Sequence, residues 1–70
     1  MANYQAAITW MTAAEDHEAE NKLDPMHSYR IRNKQLERTK VEGHRNVGWE
    51  PYVPSQELIL SDQWHFTEPF

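Results

Sequence analysis

Cysteine is absent from this 70-residue chain, which excludes disulfides and thiolate-bound zinc as supports for the fold. Glycine is scarce. The two present, Gly43 and Gly48, cannot build a glycine-rich phosphate loop. No apolar run approaches the roughly 18 residues that a bilayer-spanning helix needs. The opening stretch MANYQAAITW lacks a basic segment and does not read as a signal peptide. A soluble, cytoplasmic protein is the expectation, without cofactor or membrane partner.

Catalytic constellations are also missing. The serines Ser28, Ser55 and Ser61 sit in no nucleophile elbow. The histidines at 17, 27, 44 and 65 show no ligand spacing, and Asp16-His17-Glu18 is not a zinc-binding helix motif. Neither an enzyme nor a metal site is expected.

The length allows one small domain, residues 1–70. A single core of this size supplies only a few kcal/mol, about 3–5. With disulfides and metal set aside, association with further copies is the expected supplement, so a homo-oligomer is predicted.

Charge is distributed in blocks. Residues 1–26 carry five acids and one lysine, and residues 47–70 carry four acids and no base. Between them lie Arg30, Arg32, Lys34, Arg38, Lys40 and Arg45 against Glu37 and Glu42. A basic block flanked by acids suits solvated faces or a small anion better than duplex nucleic acid, whose phosphates the flanks would repel.

Asn3 is a helix cap. The apolar face Tyr4, Ala7, Ile8, Met11 and Ala14 predicts a helix to about Asp16, with a possible continuation through HEAEN that Asp24-Pro25 must end. The acids from Glu15 to Glu20 would fray its C-terminus, because they oppose the helix dipole. Tyr29 and Ile31 alternate with Arg30 and Arg32, the period of a half-buried strand. A turn at Asn33-Lys34 then sets Ile31 opposite Leu36 and Arg30 opposite Glu37.

Residues 42–46 read as a loop. Val47 and Trp49 share a face of a third strand, and Pro51 and Pro54 keep the following residues out of a sheet centre. Ser55 caps a short helical turn with Glu57 in its first turn. Trp64 and Phe66 share a face of a last strand, and residues 68–70 form a loose tail. The expected fold is α+β: one N-terminal amphipathic helix on an antiparallel sheet of about four strands, with a short helical turn before the last.

Trp10 and Trp64 read as core. Trp49 and Tyr52 lie beside the His44-Arg45-Asn46 segment, where a ring can stack a base while a guanidinium holds a phosphate.

The run Pro54-Ser55-Gln56-Glu57-Leu58-Ile59-Leu60-Ser61-Asp62-Gln63-Trp64 resembles the C-terminal signature of the second Thoeris anti-defence family, small phage proteins. Ser55, Gln56, Leu60 and Trp64 stand at matching spacing, with Trp49 as the upstream tryptophan. Gln63 and Leu58 stand where the family usually has acids. The resemblance implies a phage anti-defence protein that oligomerises and sequesters a cyclic nucleotide immune signal without cleaving it. The candidate ligand-binding residues are then Arg30, Arg32, Arg45, Trp49, Tyr52 and Ser55. The alternative is a small acidic inhibitor that binds a host defence or nucleic-acid-processing protein through residues 15–20 and the acidic C-terminal third.

Overall fold

The computed structural model describes residues 2–42 and 45–67, with side chains at all of these except 42 and 45–47. Asn3 opens the first helix: its Oδ1 accepts the N–H of Ala6 at 2.9 Å, satisfying one of the orphan donors of the first turn. The helix α1 spans Tyr4–Ala13 and buries Ala7 and Met11. It stops short of the expected Asp16, because Ala14 is already extended. Four acids lie within the next seven residues, and carboxylates at a helix C-terminus face a negative dipole end.

The HEAEN segment is not helical. Glu18–Asn21 form a strand, β1, which raises the expected count of about four strands to five. Ala19 and Asn21 of β1 are fully buried, so this short segment is held by tertiary packing. The other strands are β2 (Asp24–Arg32), β3 (Gln35–Glu42), β4 (Arg45–Pro51) and β5 (Trp64–Thr67). The five form one antiparallel sheet in the order β4-β3-β2-β1-β5. A second helix, α2 (Gln56–Leu60), carries the chain from the β4 edge to the β5 edge. The protein is therefore α+β, with α1 packed on β2, β1 and β5.

The β2–β3 hairpin has the expected register, with Ile31 opposite Leu36 and Arg30 opposite Glu37. Asn33 and Lys34 take φ of 52° and 62°, the double positive φ that a two-residue hairpin turn requires. Between β1 and β2 the pairing is irregular. Ala19 pairs with Tyr29 and Asn21 with Asp24, so Glu20 alone spans residues 25–28. Asp24 stitches this bulge: its carboxylate accepts the Tyr29 hydroxyl at 2.6 Å and His27 Nδ1–H at 2.7 Å.

Of the segment expected as a loop, residues 42, 45 and 46 belong to strands. Glu42 pairs with Arg45 and Val41 with Asn46, so β3 and β4 are paired up to these residues, and β4 is the fourth strand, not the third. Residues 43 and 44 lie outside the described residues. Thr39 pairs with Trp49, which leaves an extra β4 residue at a bulge. Gly48 has φ 152° there, and its N–H donates to Thr39 Oγ1 at 3.0 Å. Pro51 ends β4 on the sheet edge, the one sheet position that tolerates a missing donor.

The core gathers on Trp64, which is fully buried. Its ring meets Tyr29 edge-on at 5.3 Å and Tyr4 at 5.9 Å, inside the range where aromatic pairs add to plain area burial. Ala2 pairs with it along the outer edge of β5 through two backbone bonds. Below α2, the buried Asn21 Nδ2 donates to Ser61 Oγ at 3.1 Å, and Asn21 Oδ1 accepts Leu23 N–H at 2.8 Å. These bonds offset the cost of burying two polar side chains. Trp10 is half-buried, stacked on His17 at 3.8 Å and on Phe66 at 5.2 Å. The expected tail at 68–70 lies outside the described residues.

Candidate functional site

Strand alternation decides which candidate residues meet. Tyr29, Ile31 and Leu36 face α1, so Ser28, Arg30, Glu37, Thr39 and Trp49 face the opposite side of the sheet. On that face the Arg30 guanidinium lies 4.1 Å from the centre of the Trp49 ring. Arg30 Nε donates to Glu37 Oε1 at 2.8 Å. The pair is one-fifth exposed, so solvent screens it less than a free surface pair. Glu37 thus holds the long arginine at its Nε while the guanidinium lies over the indole. The arrangement places a cation over an aromatic ring, and the indole is only half-buried.

The other predicted residues lie elsewhere. Tyr52 is on the helix side, tilted against Tyr29 at 5.7 Å, with the Arg38 guanidinium 4.1 Å from its ring centre. The structure does not join it to Trp49. Arg32 is exposed at the end of β2, next to the hairpin turn. Arg45 opens β4, and its side chain lies outside the described residues. Ser55 caps α2: its Oγ accepts Leu58 N–H at 3.4 Å, with Glu57 in the first turn. The signature leucine Leu60 is three-quarters exposed, and it is Leu58 that enters the core. Gln63 bonds its neighbour Asp62 at 2.7 Å.

Arg38 is a residue that the sequence did not single out. It bridges toward Asp24 and Glu50, each at 3.9 Å, and its Nε is buried without a partner. Burial would raise the pKa of Asp24, but the hydrogen bonds from Tyr29 and His27 and the charges of His27 and Arg38 outweigh it, so the group titrates below its ordinary value. Burial, and then the Asp24 carboxylate, push the Tyr29 hydroxyl well above its ordinary range. Tyr29 is therefore a hydrogen-bond donor at any physiological pH. The alternation of Tyr29 with Arg30 marked a strand, but nothing in it marked the Asp24 partner five residues back.

The acidic stretch 15–20 is not a helix end. Glu15 and Asp16 fall after α1, and Glu18 and Glu20 belong to β1. Among the described residues no cluster of three or more His, Asp or Glu could hold a metal, and no helix is long and apolar enough to cross a membrane.

The fold and these sites define a small α+β protein with a partly buried arginine–tryptophan pair on the sheet face away from its helices. Compared with protein-family models, with curated proteins and with solved structures, the chain matches none of them.

Proposed function

We propose that this chain is a phage anti-defence protein that binds a cyclic nucleotide immune signal as an oligomer and withholds it without cleaving it. The observation that carries this reading is the Arg30–Trp49 pair. Glu37 engages only Nε of the Arg30 guanidinium, which leaves its terminal N–H groups as donors for a phosphate. The indole lies under the guanidinium, so a base would stack on the ring face that Arg30 does not cover, a contact worth roughly 1–3 kcal/mol in nucleic-acid-binding proteins. The reading also rests on the resemblance of the C-terminal run Ser55, Gln56, Leu60 and Trp64 to the second Thoeris anti-defence family.

Self-association has its own support. Val53 is 85% exposed, Leu60 75% and Ile59 43%. Three large apolar side chains in and just before one short helix are more than a small surface needs to leave bare, and a second copy would cover them. Sequestration then requires only tight binding and a copy number comparable to that of the signal.

The test is to incubate the purified protein with candidate cyclic nucleotides, remove free nucleotide, heat-denature the protein and analyse the supernatant by mass spectrometry. Intact nucleotide should be released. Trp49→Ala should release at least about tenfold less while keeping the wild-type circular dichroism spectrum, given the loss of one stacked base. Failure to recover intact nucleotide from any candidate would refute the reading.

A further inference from the structure

A groove of about 360 Å³ lies between the last turn of α1 and the tip of the β2–β3 hairpin, away from the Arg30–Trp49 face. Its apolar lining is Ile8, Ile31 and Ala14. Ile8 and Ile31 also pack against the core, so this part of the wall is firmly held. Arg32 and Lys34 line the groove on the hairpin side, and Glu15 lines it after the helix.

We infer that this groove binds an amphiphilic monoanion, a carboxylate carried on an apolar chain or ring. Three observations fit that occupant. The size lies within the range of small-molecule sites, about 300–1,000 Å³. The apolar wall would shelter a hydrocarbon part, and Arg32 and Lys34 are both exposed, with no ion-pair or hydrogen-bond partner among the described residues. Finally, two cations against one carboxylate leave a single net positive charge, which balances a monoanion and is too little to neutralise a polyphosphate. The hairpin turn sets where the cations stand. Asn33 and Lys34, at φ 52° and 62°, form the two-residue turn that follows Arg32 at the end of β2, so both cations stand at the hairpin tip.

Octanoate serves as the probe and octanol as its uncharged counterpart, each titrated into the protein with amide shifts followed by NMR. Octanoate should perturb amides confined to residues 8–15 and 31–34, and octanol should bind about tenfold more weakly, the loss expected for two partly screened ion pairs. Arg32→Gln combined with Lys34→Gln should weaken octanoate by about the same factor and leave octanol unchanged. Glu15→Gln should tighten octanoate by about two- to fivefold by removing the like charge. All these positions are exposed, so the variants keep the fold. Absence of shifts, shifts scattered over other elements, or equal octanoate affinity in the double variant would overturn the assignment.

Discussion

The indole N–H of Trp64 donates to the carbonyl oxygen of Leu58 at 3.0 Å, tying α2 to the strand that follows it. Both residues are buried, and Ser55 holds the other end of the same turn. A five-residue helix has too few internal bonds to persist alone, so these contacts keep it in place.

Removing the indole should be severe. Trp64→Ala is expected to cost about 3–5 kcal/mol, as much as a single small core supplies. The variant should be largely unfolded in urea titrations followed by circular dichroism. Trp64→Phe keeps most of the ring but removes the indole N–H from the Leu58 carbonyl, which still accepts Ser61 N–H at 3.3 Å, a cost of about 0.5–1.5 kcal/mol. It should fold with a visibly lower urea midpoint.

Ser55→Ala tests the cap by itself. Loss of an N-cap hydroxyl costs about 1 kcal/mol. The same urea titration should show that drop, and nucleotide release should persist once the protein is kept folded, because the Ser55 hydroxyl is engaged with Leu58 N–H.

The hairpin turn predicts a gain. Lys34 holds φ 62°, a region that costs most L-residues about 1–2 kcal/mol. Lys34→Gly should relieve this and raise stability by about 0.5–1 kcal/mol after its own entropy cost. Asn33→Val should do the opposite, because a branched side chain resists positive φ. Urea midpoints of the two variants should move in opposite directions.

Asp24 predicts a pH dependence. Its folded pKa lies below its ordinary value of 3.8. A depressed carboxylate contributes stability that is fully present above the unfolded value and is lost as pH falls through the folded one. Asp24→Asn should therefore destabilise the protein at neutral pH. The gap between wild type and variant should narrow as pH is lowered below about 4. Thermal melts across that range check the sign: a gap that widens in acid contradicts the assignment.

These residues also mark how far the sequence could be read. The β2–β3 hairpin was legible because alternation and turn chemistry agree on one register, and both pairs, Ile31–Leu36 and Arg30–Glu37, fall into it. The caps Asn3 and Ser55 were legible because capping is local. β1 was not. Glu18-Ala19-Glu20-Asn21 has helix-favouring residues and one small apolar side chain, and it becomes a strand through its neighbours β2 and β5. Its Asn21–Ser61 bond joins residues 40 positions apart, and no local pattern announces such a partner. The 42–46 segment looked like a loop because glycine and polar residues dominate it, yet pairing extends to Glu42 and Arg45.

The candidate site divides in the same way. Residue types were readable: arginines beside aromatics. Their faces were not, because Trp49 reaches Arg30 only through the register of the intervening β3, while Tyr52, three residues on, turns to Tyr29 and Arg38 on the other side. A one-residue slip in that register would have reversed the assignment.

The most direct test of the account is the mass and the nucleotide-to-protein absorbance ratio of the chain after loading with candidate cyclic nucleotides and gel filtration. The account predicts a particle heavier than one chain, with excess nucleotide absorbance that falls away in Trp49→Ala. A single-chain mass with a protein-only spectrum for every candidate would contradict it.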